Sequence, residues 1–283
     1  MPGRVTIGAL PFLNARPLIC GLAEEREVRL RIEVPSALGP LLRTGEVDAA
    51  LVPSIEYFRL ASEGGERARG GAAGRGGVVA LPVAAIASRG TVGSVRLFGY
   101  AEPNKLRRVL LDSASRTANA LGRLVVIRRL GSRPHFLLPE EVSPAPPRPP
   151  DAELLIGDRG LVAERPQAAW TLDLGEEWRE WTHLPFVYAF WAARVGSPVG
   201  RLIEMLTAAR DRGLKAREAL AAEAAPTLGL DADAARRYLM DEIRYEFGPK
   251  EQDGLRAFYR MAAEEGLAPE GVRLRFARAG APV

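Results

Sequence analysis

Two stretches of the chain echo one another. VVALPVAAIASRG, Val78–Gly90, and THLPFVYAFWAARVG, Thr182–Gly196, each open with a Leu-Pro pair, run through a long apolar segment and close on an arginine and a glycine. A strand that is apolar on both faces is buried on both faces, so each belongs in the middle of a sheet. Residues 91–181 lie between them and carry an α/β alternation of their own: a strand pattern at Leu106–Leu111, a helix after Thr117, a strand pattern near Val125–Arg128, and the apolar LLIGD. Two kindred strands around an inserted α/β segment predict a two-lobed molecule. The lobes are then residues 1–88 plus 191–283, and residues 91–182. The crossover strands, about 80–88 and 184–192, would also form the hinge.

The flanking parts support this reading. Val5–Leu10 has strand character, a helix is expected to begin near Pro17, and Val28–Val34 alternates apolar with charged residues. Pro35 and Ser36 open a helix to about Thr44, Gly45 ends it, and Asp48–Val52 forms a short buried strand. That order predicts an α/β lobe with a largely parallel sheet. From about Gly200 three segments carry apolar faces at helical spacing. The Gly- and Arg-rich Ser62–Gly77 and the Pro-rich Pro139–Asp151 are expected to be loops.

Composition removes several function classes. At 283 residues and 47% hydrophobic, the chain can bury a full core. Its net charge of +4 is scattered and not clustered, which argues against nucleic acid as a partner. No apolar run approaches the roughly 18 residues needed to cross a bilayer. Cys20 is the only cysteine, so no internal disulfide and no zinc site of the usual Cys/His kind is expected, and Cys20 reads as a buried small hydrophobe. The opening MPGRVTIGALPF has no leader pattern, which reads as a cytoplasmic chain. The expected partner is a small molecule, and no oligomeric state follows from the sequence.

The candidate site residues sit at strand ends, where open α/β sheets place ligands. In LLDSASRTANALGRL, Leu110–Leu124, the hydroxyls of Ser113, Ser115 and Thr117 crowd a helix start, with Arg116 among them. One of these suffices to cap a helix, so the redundancy points to a carboxylate or phosphate. Asn14, after the first strand, offers a donor and an acceptor together. Ser54 follows the short buried strand, Ser88 ends the first crossover strand, and Asp158 with Gly157 ends an apolar strand of the second lobe. Each also fits a plain capping or turn role. His183 fits either an acid–base or a structural role, and nothing marks His135. No GxSxG elbow, no phosphate loop ending in Lys, no GxGxxG after a strand and no metal-ligand cluster is present. Any chemistry is then acid–base or electrostatic, with no cofactor and no metal. The residues by themselves describe a two-lobed binder of a small anion.

PFLNARPL, GEVDAALVPSIEY, SVRLFGY, LLDSASRTANAL, LLIGD and DLGEEWREWTHLPFVYAFW, in this order, resemble the cofactor-free chorismate dehydratases of the futalosine route to menaquinone. The resemblance spans nearly the whole chain. It implies a periplasmic-binding-protein-like fold with two crossover strands and loss of water from chorismate to give 3-[(1-carboxyvinyl)oxy]benzoate. It further implies that Ser115, Arg116 and Thr117 hold a substrate carboxylate and that Asn14 lies nearest the departing hydroxyl or the enolpyruvyl group. The proton would pass to the substrate's own side-chain carboxylate or to Asp158. The family pattern has serine where this chain has Ala118 and Gly99. Two alternatives share the fold: a solute-binding protein for a small carboxylate, and the later pathway enzyme that forms 1,4-dihydroxy-6-naphthoate.

Overall fold

The computed structural model describes residues 3–69, 77–141 and 149–277. Its strands form two five-stranded mixed sheets. The first takes β1 (Val5–Ala9), β2 (Val28–Ile32), β3 (Ala49–Pro53), β4 (Val78–Ser88) and β10 (Phe186–Arg194), in the order β2-β1-β3-β10-β4. The second takes β5 (Val95–Gly99), β6 (Arg108–Leu110), β7 (His135–Leu137), β8 (Ala152–Ile156) and β9 (Trp170–Asp173), in the order β7-β6-β8-β5-β9. The fold class is α/β.

The two apolar runs are the sequence's strongest signal, and they pair with each other. β4 and β10 run antiparallel, from Phe186 opposite Ser88 to Arg194 opposite Val78. The chain therefore leaves the first sheet and re-enters it at neighbouring points. β10 also lies antiparallel to β3, so only β1, β2 and β3 form the expected parallel set. Phe186, Phe190 and Trp191 on β10 are almost wholly buried, as a strand covered on both faces requires.

Helices cover the sheets: α1 (Pro35–Thr44), α2 (Ser54–Arg69), α3 (Arg116–Leu124), α4 (Gly157–Val162) and α5 (Leu174–Thr182). The C-terminal part supplies α6 (Val199–Lys215), α7 (Arg217–Leu228), α8 (Ala232–Arg237) and α9 (Pro249–Glu264). Helix α6 packs tightly on the segment after β1. A Cβ built at Gly213 would lie 1.9 Å from the carbonyl oxygen of Pro17, so only glycine permits this approach.

Several expectations need correction. The helix expected near Pro17 is a 3-10 helix, Leu13–Leu18, with Pro17 inside it. Proline has no N–H to donate and cannot extend an α-helical ladder here. Val125–Arg129 is not a strand but a π-helical turn continuing α3. Its β-branched residues mimic a strand, yet Leu121, Leu124 and Val125 fall on one buried helical face. Ser62–Arg69 belongs to α2 and is not loop, while residues 70–76 of the expected loop lie outside the described residues. Pro139–Glu141 forms a 3-10 turn, and residues 142–148 lie outside the described residues. Cys20 is half-buried at the end of the 3-10 segment, not fully enclosed.

Candidate active site

A narrow cleft lies where the two sheets meet. Its walls are mostly apolar: Phe12, Pro53, Ile86, Val92 and Ile156 are among the side chains that line it. The polar contributors are Asn14, Ser94, Ser115 and Tyr188. Of the lining residues, Tyr188 alone carries a titratable side chain; no carboxylate, imidazole or cation stands in the wall. The ends of β1, β3 and β8 all open here, in keeping with the ligand position of open α/β sheets.

The 3-10 helix after β1 places Asn14. Leu13 and Leu18 are buried and anchor the turn, and Phe12 accepts the first turn bond from the Ala15 amide at 3.0 Å. Asn14 is 9% exposed. Its Nδ2 donates to the phenol oxygen of Tyr238 at 2.9 Å, and that phenol donates to Ser94 Oγ at 2.8 Å. The Tyr245 hydroxyl donates to the Asn14 carbonyl at 3.0 Å. Asn14 Oδ1 is buried and has no partner. Burial is the main reason that the phenols of Tyr238 and Tyr245 are pushed well above the usual tyrosine range, so both keep their protons near neutrality.

The hydroxyl-rich turn behaves differently. Ser115 caps α3 by accepting from the Ala118 amide at 3.3 Å, and it lines the cleft. Thr117 is buried, and its Oγ1 accepts from the Ile55 amide at 3.1 Å, so it caps α2 across the junction. Arg116 pairs with the Glu56 carboxylate at 2.9 Å. Ser54 donates to the Val187 carbonyl at 2.7 Å. Asp158 Oδ1 accepts from the Leu13 amide at 3.0 Å, and burial holds its carboxyl above the ordinary value against the pull of that bond and of Arg16. Ser88 sits 3.1 Å from the hydroxyl of Tyr188 and reaches the cleft wall through it. The structure thus brings Asn14 and Ser115 into the cleft wall, holds Ser88 one contact behind it, sets Asp158 on the Leu13 amide, and gives Ser54, Arg116 and Thr117 partners within the protein. His183 is exposed, ends α5 in a left-handed conformation and accepts from Arg179 through its carbonyl.

Four polar residues of the site were not singled out by sequence reasoning. Tyr188 and Ser94 lie inside quoted motifs, FVYAFW and SVRLFGY, but carry no spacing signature. Tyr238 and Tyr245 sit in the helical C-terminal part, with nothing local to mark them. The two departures from the family pattern have different reasons. At Gly99 a Cβ would lie 1.9 Å from the Trp170 ring, which fills the place of a side chain. Ala118 lines the cleft, so the missing hydroxyl makes that wall more apolar.

A model of the menaquinone biosynthesis family matches residues 5–264. The chain belongs to that family. A protein of Thermus thermophilus, a chorismate dehydratase, is 32% identical over 275 residues, covering 86% of this chain and 94% of its own. Among solved structures, protein AF1704 of Archaeoglobus fulgidus superposes with a TM-score of 0.68 at 18% identity, covering 93% of this chain and 98% of its own. The periplasmic aliphatic sulphonate binding protein SsuA of Escherichia coli gives 0.62 at 18% identity, covering 98% and 93%. At that identity these two show the fold: this family member has the fold of periplasmic binding proteins. Among its described residues no helix is long and apolar enough to cross a membrane.

Proposed function

We propose that this protein is a hydro-lyase that removes water from chorismate to give 3-[(1-carboxyvinyl)oxy]benzoate, on the futalosine route to menaquinone in the cytoplasm. The observation that carries this reading is the 32% identity to a chorismate dehydratase along 94% of that protein's length. The cleft fits the task. Loss of the ring hydroxyl and of the hydrogen on the adjacent ether-bearing carbon aromatises the ring, with no change in redox state. Most of the driving force is in the substrate, so the protein needs to hold geometry and exclude water. An apolar wall suits a ring, and Ser115 at the start of α3 suits a carboxylate.

The wall holds no carboxylate or imidazole, and Asp158 already accepts from Leu13. That favours the substrate's enolpyruvyl carboxylate as proton acceptor. It takes the proton from the ether-bearing carbon and passes it to the leaving hydroxyl, which departs as water. The two stretches between the sheets, at Ser88 and Phe186, would let the lobes (residues 1–88 plus 191–283, and 91–182) close over the ring.

The test is to mix purified protein with chorismate, with nothing added, and follow ultraviolet absorbance and mass. The expected result is an aromatic product lighter by one water. Chorismate that is bound but unchanged would favour a solute-binding protein, and the absence of binding would remove chorismate from the account.

A further inference from the structure

An asparagine amide has two ends of nearly the same shape and opposite character, and which end faces a ligand decides what the ligand must offer. At Asn14 the chain of bonds has a direction. Tyr238 has one proton, and it goes to Ser94 Oγ at 2.8 Å. Its oxygen is therefore an acceptor toward Asn14, and Nδ2 donates to it at 2.9 Å. Tyr245 fixes the backbone of the same residue through the Asn14 carbonyl. What remains is Oδ1, buried, without a partner, on a side chain that lines the cleft. A buried acceptor without a protein partner is costly, and a ligand that brings a donor satisfies it.

Near neutral pH chorismate has a single donor. Both carboxylates are ionised and accept only, as does the ether oxygen. The ring hydroxyl, the group that leaves, is the one O–H in the molecule. We propose that Tyr238 is a positioning residue for the dehydration: it holds the Asn14 amide so that Oδ1 accepts from the ring hydroxyl. The inference rests on the chorismate reading and deepens it. By taking the hydroxyl's hydrogen, Oδ1 makes that oxygen more basic and turns its lone pairs toward the proton released from the neighbouring carbon. The C–O bond then breaks with water as the leaving group. The relay also joins the two sides of the cleft, because Ser94 directly precedes β5 while Asn14 follows β1.

The experiment compares wild type with Tyr238→Phe and Ser94→Ala, using Tyr100→Phe as a control. The Tyr100 phenol bonds to Glu153 and lines no part of the cleft. In Tyr238→Phe, kcat should fall about 30- to 100-fold with KM changed less than about threefold, because geometry and not ground-state binding is lost. Ser94→Ala should lose less, since Tyr238 keeps its hydroxyl but can turn its proton toward Asn14. In ligand-free protein the Asn14 side-chain amide protons, assigned by 15N NMR, should exchange faster with water in Tyr238→Phe than in wild type. Tyr100→Phe should change none of these. An active wild type beside a folded Tyr238→Phe of normal kcat, or one that changes KM alone, overturns the proposal, as does unaltered Asn14 amide exchange. A wild type that leaves chorismate unchanged overturns the chorismate reading and the hydroxyl assignment together.

Discussion

Two turns approach the same cleft, and they handle their polar groups in opposite ways. The turn at Asp112–Thr117 has more hydroxyls and more charge, yet nearly all of it is used within the protein. Ser115 caps its own helix, Thr117 caps α2, Arg116 pairs with Glu56, and Asp112 accepts from Ala114 with Arg159 at 3.6 Å. The turn at Leu13–Leu18 has one polar side chain facing the cleft, Asn14, and that side chain has an acceptor left over. A dense patch of polar residues marks a junction that must be held together. A buried acceptor without a protein partner, on a side chain of the cleft wall, can take a donor from a ligand.

That contrast predicts that activity separates the two turns. The largest effect is expected from Asn14→Ala, which should lower chorismate dehydration by about 10²-fold or more, as loss of a group aimed at the reacting atoms does. Its thermal midpoint should fall by a few degrees at most, because the Nδ2 donation to Tyr238 is lost while Oδ1 has no protein partner to lose. Thr117→Val should cost stability and little activity. It leaves the buried Ile55 N–H without an acceptor, at a cost of about 1–3 kcal/mol. That lowers the midpoint by several degrees while kcat stays within about threefold. Turnover and calorimetry on the same two preparations decide the matter. A stable but inactive Thr117→Val would move the chemistry to the hydroxyl turn.

The same contrast explains what could be read from the sequence. β1, β3, α1 and the two crossover strands were legible because their signals are local: runs of apolar residues, a proline at a helix start, a glycine at its end. The place of Asn14 on the cleft wall was legible from its position after a strand. Val125–Arg129 was misread because β-branched residues serve a buried helix face as well as a strand, and only tertiary packing chooses between them. The partners that hold Asn14 in the wall were out of reach. Tyr238 is 224 residues away, and no periodicity links two residues that meet only when the C-terminal helices pack against the first turn. Nor could the sequence distinguish a hydroxyl that binds a ligand from one that binds the next helix, since Thr117 and Ile55 come from different sheets' coverings.

The smallest effect tests what holds the first turn in place. Asp158 accepts the Leu13 amide, and Asp158→Asn keeps an oxygen there while removing the charge. The Asp158 carboxyl is raised above its ordinary value of 3.8, with burial as the largest cause. A raised carboxyl binds its proton more tightly in the folded chain than in the unfolded one. Stability contributed by that proton is therefore present at low pH and lost as pH rises through the window from 3.8 upward. Above the window the ionised group is a fixed cost, which Asn removes. Asp158→Asn should then melt at or about a degree or two above wild type at pH 7, with the difference closing as the pH falls toward 3.8. Turnover is the sharper readout. With the substrate's carboxylate as proton acceptor, the variant keeps most of its kcat, because the Leu13 contact and the Asn14 geometry survive. A variant that melts normally but no longer dehydrates chorismate would transfer that role to Asp158, and the first turn would then be held by the same group that carries the proton.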